Sequence, residues 1–194
     1  MSTRRWRSLR SARPFAAHSP ESVPTGIPER TSIFVTVGTE LPFDRLVRAI
    51  DHWAGERGRG SEVFAQIGRT QFRPEHIGWA PLIDGNAFRQ LFDHADLIVA
   101  HAGMGTILGA LERSRPLIVV PRRAQLGEHR NEHQLATVAR LAERELIDVA
   151  QDEVELIEWL DRGGHCARPR HLGPSADPRL IAAVRSAITS SRRA

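Results

Sequence analysis

The 194-residue chain has no lysine and no tyrosine, and it has a single cysteine, Cys166. With no lysine there is no Walker A phosphate loop. All 27 cations are arginines. The two absences look like a GC-rich coding bias, so arginine abundance by itself says little about anion binding. One cysteine excludes an internal disulfide framework and a cysteine-based zinc site, and fits a reducing compartment. No apolar run approaches the ~20 residues of a membrane-spanning helix. Acidic residues are missing from the first 20 positions, which hold five arginines. This basic start has no long apolar stretch, so it is not a secretory signal. It is rich in Arg and Ser like an organelle transit peptide, and equally fits a short tail or a misplaced start codon.

A 41% hydrophobic fraction supports a real core, and the formal net charge is only +4. The length fits one domain with tails. Residues 1–30 carry Pro, Ser and Arg without periodicity and read as a disordered basic leader. Such a leader is a solvated extension or a contact for phosphates or an anionic membrane surface. From residue 31 to 165 short β-branched runs alternate with helical patterns. "SIFVTVG", "SEVFAQIG", "HIGWAPLI", "DLIVAHA", "PLIVVP" and "ELIDV" read as strands. Between them, Phe43, Leu46, Val47, Ile50 and Trp53 share one face of a helix, and "NAFRQLFDHA", "GTILGALERS", "EHQLATVARLAER" and "DEVELIEWLDR" are further helices. Residues 166–194 form a linker and an amphipathic helix with Leu180, Ile181, Val184 and Ile188 on one face. Its apolar face packs on the chain's own sheet or docks on a partner.

Near-continuous apolar strands alternating with helices predict an α/β fold, a doubly wound parallel sheet of Rossmann-like type. Ligands in such sheets bind beyond the carboxyl ends of the strands. Three loops fall there: Gly38–Leu41, His101–Thr106 and Pro121–Asn131. In "HAGMGT", Gly103 and Gly105 keep Cβ atoms away from an approaching anion, and the helix start attracts phosphate. Thr106 either caps the helix or donates its hydroxyl to a phosphate oxygen, and His101 offers a further hydrogen bond. The same residues also fit a plain glycine turn. Gly38 and Thr39 form a second Gly-Thr loop on the same edge. The spacing Gly-x-Gly-x-x-x-Gly of Gly103, Gly105 and Gly109 departs from the dinucleotide fingerprint. In the third loop "HRNEH" matches His-x-x-Glu-His, which on one helix face would pair His129 and His133 at a zinc with Glu132 as base. The alternative is a polar helix start whose Glu128, Asn131 and Gln134 face a ligand or solvent.

Together, "FVTVGTELPFDRLVRAID", "ADLIVAHAGMGTILGALERSRPLIVVPR" and "GEHRNEHQLA" resemble the nucleotide-sugar-binding, C-terminal-type half of GT-B glycosyltransferases. Glycosyltransferase family 28 is the nearest likeness, in particular the small soluble subunits of split enzymes. These include the catalytic subunit that works on dolichol-linked sugar and bacterial counterparts in exopolysaccharide synthesis. The resemblance covers about residues 31–150. It implies that His101, Gly103, Met104, Gly105 and Thr106 hold the diphosphate of a UDP-sugar and that Gly38 and Thr39 face the same phosphates. It implies further that Glu132 and Gln134, with Asn131 near, contact the sugar, and that backbone at Leu82 and Ile83 holds the uracil. Many relatives carry a ribose-binding Glu where this chain has Gly109, and Glu112 lies about one turn on.

The implied function is a UDP-sugar-dependent hexosyltransferase subunit. It transfers the sugar with inversion to a lipid-linked acceptor held by a membrane-associated partner subunit, as a heteromer. The expected localisation is cytoplasmic, at the inner face of the membrane. Neither cofactor, metal nor nucleic acid is expected, and the catalytic base is not assigned. Two other readings are a non-catalytic nucleotide-sugar-binding or regulatory subunit, and a zinc hydrolase built on the His-x-x-Glu-His segment.

Overall fold

The computed structural model describes residues 27–28, 31–130, 133–143, 145–162 and 170–171. The expected leader and C-terminal amphipathic helix, with Cys166, lie outside the described residues but for residues 27–28 and 170–171. Strands β1 (Ile33–Thr36), β2 (Val63–Gln66), β3 (Gly78–Ala80), β4 (Leu97–His101), β5 (Leu117–Val120) and β6 (Asp148–Val149) form one sheet in the order β3-β2-β1-β4-β5-β6. Every neighbouring pair is parallel. This is the doubly wound order expected of a Rossmann-like sheet.

The strands are apolar throughout because both faces are covered. Side chains alternate between two cores. Ile33, Val35, Val63, Ala65, Leu97, Val99, Ile118 and Val120 face one core, while Phe34, Phe64, Ile98, Ala100, Leu117 and Val119 face the other. Helices α1 (Asp44–Glu56) and α5 (Glu153–Asp161) cover the first face through Leu46, Val47, Ile50, Trp53, Leu156 and Leu160. Helices α2 (Gly85–His94), α3 (Met104–Glu112) and α4 (His133–Glu143) cover the second through Leu91, Phe92, Ile107, Leu111 and Val138. Phe43 lies just ahead of α1 and is fully buried with it. The face expected from the helical spacing is therefore the face that packs.

Local polar contacts fix the ends of these elements. Asp84 caps α2 by accepting from the amides of Asn86 (2.8 Å) and Ala87 (3.0 Å). Asp152 caps α5 through the Glu155 amide at 2.9 Å. On α1, the buried carboxylate of Asp51 accepts from the amides of Glu75, His76 and Ile77. It thereby holds the segment that feeds β3. Indole Nε1 of Trp53 donates to Asp161 at 2.9 Å and ties α1 to α5. Pro81 ends β3 after three residues, as its position in the sequence suggests.

Candidate functional site

β1 and β4 are neighbours, but the chain leaves β1 for β2 on one side and leaves β4 for β5 on the other. The α/β rule places a ligand at this reversal, beyond the carboxyl ends of the two strands. Both loops there carry glycines, and the glycines meet on one imidazole. Gly38 has φ +75°, and a Cβ on it would lie 2.7 Å from His101 Cε1 and 2.9 Å from His101 Nε2. Gly103 faces the same ring, and a Cβ there would also collide with Nε2. The ring of His101 is thus held between two bare backbones. Gly68, at the end of β2 with φ +55°, packs on the Gly38 carbonyl so closely that a Cβ would overlap the oxygen. The Gly68 amide donates to the Pro81 carbonyl at 2.9 Å, and the Ile83 amide donates to Gln66 Oε1 at 3.3 Å. A continuous rim therefore runs from Ile83 through Gly68 and Gly38 to His101 and Gly103.

Helix α3 starts on this rim. Gly103 is its cap residue and has no side chain to satisfy the first turn. Its carbonyl accepts from the Thr106 and Ile107 amides, both at 3.1 Å. The amides of Met104 and Gly105 stand ahead of the first intrahelical bond and point outward as donors. Met104 is 45% exposed, and a Cβ on Gly105 would meet nothing within 4 Å. The helix start is open to a ligand, and the helix dipole favours an anion there. Thr106 is the third helical residue rather than the cap. Its expected capping role is not realised, because the chain turns into helix one glycine earlier.

Behind the rim lies a buried cation. Arg122 follows β5, is 2% exposed and donates to four backbone carbonyls. Nη2 bonds Val37 (2.6 Å) and Leu41 (2.7 Å), and Nη1 bonds Pro42 (2.9 Å) and Glu128 (3.2 Å). Its guanidinium also lies 4.9 Å from the Phe43 ring centroid. Burial pulls its pKa below the ordinary arginine value, and the charges of Glu128 and Glu40 work against that shift. Arginine remains cationic under such a shift. It both moulds the Gly38–Leu41 loop and places positive charge beneath it.

That charge also acts on His101. Burial, followed by the field of Arg122, lowers the imidazole pKa to about 4, while the Thr36 carbonyl pulls the other way. Nδ1 is buried without a standard hydrogen-bond partner. His101 is therefore neutral at pH 7 and carries one N–H, so it serves as a hydrogen-bonding group rather than a counter-charge.

Thr39 is exposed in the loop after β1. Leu82 is 67% exposed in the loop after β3, and Ile83 is half-buried beside it. Asn131 and Glu132 lie outside the described residues, and Gln134 falls in the first turn of α4, its side chain outside the description. The zinc arrangement on one helix face does not form: α4 spans His133–Glu143, and His129 precedes it in a bend. Glu128 does not face ligand or solvent. Its carboxylate accepts from Arg45 Nε (2.8 Å), Arg45 Nη2 (3.0 Å) and the Arg123 amide (2.9 Å). Arg45 adds a 2.8 Å bond to Glu153. This network holds the loop after β5 against α1.

Beside Gly105 and Thr106, a pocket of about 240 Å³ opens between α2 and α3. Phe88, Phe92 and Gly109 line it, with Arg89 and Arg113. Glu112, at the end of α3, is not part of the lining.

Sequence reasoning missed Arg122 and Gly68, and it named Glu128 without its ion-pair role. Arg122 and Gly68 had a readable signal, since each stands within two residues of a strand's carboxyl end, where the α/β rule places ligands. The pairing of Glu128 had none, because its partner Arg45 is 83 positions away.

Comparison with known proteins bears on the fold and the family. The chain is 30% identical over 113 residues to the UDP-N-acetylglucosamine transferase subunit ALG13 of Mus musculus, a match taking in 51% of this chain and 9% of that protein. The Homo sapiens protein of the same name is 31% identical over 109 residues, 52% of this chain and 10% of that one. The chain thus matches about a tenth of the length of these curated relatives. In fold it is similar to the solution structure of ALG13, with a TM-score of 0.51 at 18% identity over 80% of this chain and 94% of that one. It is equally similar to MurG of Acinetobacter baumannii, with a TM-score of 0.51 at 18% identity over 72% of this chain and 42% of that one. The model of the glycosyltransferase family 28 C-terminal domain matches residues 32–165. The chain therefore belongs to the glycosyltransferase family 28 C-terminal domain family.

Proposed function

We propose that this chain is the donor-binding subunit of a UDP-sugar-dependent hexosyltransferase. The observation that carries the reading is the cluster at the sheet reversal: Gly38, His101 and Gly103 under the open first turn of α3, with the Arg122 cation behind. The amides of Met104 and Gly105 take one phosphate, the Gly38–Thr39 loop faces the other, and neutral His101 donates its single hydrogen bond. Glu132 and Gln134, with Asn131, reach the sugar, and the rim at Leu82–Ile83 takes the uracil.

The reaction is an in-line displacement with inversion. The acceptor oxygen bonds to the anomeric carbon while the bond from that carbon to the β-phosphate oxygen breaks. UDP leaves with the electron pair, and the acceptor proton passes to a base on the partner half. The helix dipole, the loop amides and Arg122 stabilise the charge that builds on the leaving diphosphate. This design calls for no metal. The acceptor is a lipid-linked saccharide presented by a membrane-associated partner subunit, which draws the chain to the cytoplasmic face of the membrane.

Gly105→Val tests the phosphate loop. A Cβ there meets nothing within 4 Å, so the variant is expected to match the native chain in circular dichroism and unfolding, and a loss of affinity in the folded variant belongs to the ligand. Titration calorimetry with UDP and UDP-sugars is expected to show binding to the native chain and at least a tenfold loss, about 1.4 kcal/mol, in the variant. Unchanged affinity overturns the assignment. Sugar transfer only on coexpression with a membrane partner supports the split enzyme. Binding without transfer in any combination favours a regulatory subunit.

A further inference from the structure

Among the described residues, six large apolar side chains are exposed, and four of them stand just beyond the carboxyl ends of strands. Leu82 follows β3, Met104 follows β4, Leu126 follows β5 and Val154 follows β6. A single exposed leucine needs no explanation, whereas several gathered on one edge mark an interaction surface. β4, β5 and β6 are neighbours, so Met104, Leu126 and Val154 follow three strands that span only about 10 Å. Leu82 lies apart, on the far side of β2 and β1. Leu126 and Val154 are the side chains of this group that the phosphate turn and the rim do not use, and they are 56% and 64% exposed.

The segments that carry these two residues are fixed to each other. Arg123 Nη2 donates to the Gln151 carbonyl at 2.7 Å, and Arg45 bridges Glu128 and Glu153, each at 2.8 Å. Ile157, three residues after Val154 on α5, is only partly buried and extends the apolar strip. The charge around the strip is of one sign. Residues 152–161 hold five acids and no base, although the whole chain is at +4. Arg45, Arg162 and Arg57 pair with Glu153, Glu158 and Asp161. Asp152 and Glu155 accept from backbone amides, and among the described residues no arginine pairs with them. An anionic lipid surface repels such a border. A protein surface with an apolar patch bordered by lysine or arginine complements it.

We propose that the β5–β6 side of the carboxyl edge, with Leu126 and Val154 as its anchors, docks the acceptor-carrying partner subunit through an apolar patch bordered by basic residues. This rests on the reading of the chain as the donor-binding half of a split transferase. A partner seated there lies beside the β1–β4 reversal rather than over it. The Leu82 side of the edge stays open, so a nucleotide enters and leaves while the two subunits remain together. Docking and donor binding use different residues of one edge and are separable by mutation.

The test combines Leu126→Arg and Val154→Arg in one chain, with Ile27→Arg, 40% exposed at the amino edge of the sheet, as the control. Circular dichroism confirms that both variants are folded. UDP affinity of the isolated double variant, by calorimetry, is expected to stay within about twofold of native. On coexpression with the membrane partner, the double variant is expected to lose at least about tenfold in association and in sugar transfer, while Ile27→Arg keeps both. The native complex is expected to weaken as salt is raised. Unchanged association of the double variant, or an equal loss in Ile27→Arg, overturns the inference and leaves the proposed function standing. So does a matching loss of UDP affinity, which would place the two residues in the donor site. If light scattering shows a native dimer that the double variant breaks, the occupant is a second copy. If the native chain binds phosphatidylglycerol vesicles and the double variant does not, the occupant is a membrane. Either result overturns the inference. If no coexpressed partner associates or supports transfer, the proposed function falls, and the inference with it.

Discussion

Replacing Gly38 by alanine is expected to destabilise the chain through two separable effects. The first is backbone strain. At φ +75° a residue with a Cβ costs about 1–2 kcal/mol more than glycine. The second is collision, since the new methyl would stand 2.7 Å from His101 Cε1. The ring has nowhere easy to go, because Gly103 confines its other side. Overpacking of this kind costs about 1–3 kcal/mol. The single variant should therefore lose about 2–5 kcal/mol in all. His101→Ala removes the collision but not the strain. In the double variant, Gly38→Ala should cost only the ~1–2 kcal/mol of left-handed backbone. A double-mutant cycle by urea unfolding should then show about 1–3 kcal/mol of favourable coupling. Gly68→Ala supplies the contrast. Its Cβ meets the Gly38 carbonyl, a backbone atom, so His101→Ala should not rescue it. Coupling below about 0.5 kcal/mol between positions 38 and 101 would refute the picture of one ring wedged between two glycines.

Three further outcomes are expected. His101 titrates near 4 in the folded chain against an ordinary value of 6.5, so the unfolded chain binds the extra proton first. Stability should be level above about pH 6.5 and fall by on the order of 3 kcal/mol as pH drops towards 4; His101→Ala should flatten that part of the profile, and an unchanged slope in unfolding measurements would count against a buried neutral imidazole. Glu128→Gln leaves the Arg45 guanidinium, only 13% exposed, without its two-point partner. Arg45 keeps Glu153 and the Pro121 carbonyl, so a loss of about 1–2 kcal/mol in denaturant unfolding is expected, with faster proteolysis of the loop after β5, and a loss under about 0.5 kcal/mol would show that the pair is dispensable. Arg122→Met keeps the volume but removes four carbonyl bonds and the charge; it should weaken UDP binding at least about tenfold as well as lower stability, and loss of stability alone would confine Arg122 to a structural role.

The fold was readable because its signals are local. "SIFVTVG" and "DLIVAHA" are buried on both faces and so show no polar alternation, and the run from Phe43 to Trp53 follows the helical period. The glycine loop was readable for the same reason, with its cap and its open turn lying within six residues. What the sequence concealed depends on distant contacts. No local pattern tells that Gly38 needs its bare Cα because of a ring 63 positions away, or that Glu128 is occupied by Arg45. Of the two roles open to Thr106, the cap goes to Gly103, which adopts extended backbone at φ −85°, ψ 126°. The "HRNEH" segment misled because five residues suggest one helix, whereas the helix starts at His133.

The four carbonyl bonds of Arg122 also bear on how the chain is assembled during synthesis. The loop that three of them mould follows β1, yet the guanidinium arrives with β5, some eighty residues later. A nascent chain that has released β1, β2 and β3 has Gly38 and Gly68 of this edge but nothing to hold the Val37, Leu41 and Pro42 carbonyls. The seam between β1 and β4, where Ile33 pairs with Leu97, must close and β5 must add to it before the loop is fixed. Competence to bind a nucleotide should thus appear in one late step, and a ligand seated across the two glycine loops would oppose the reopening of that seam.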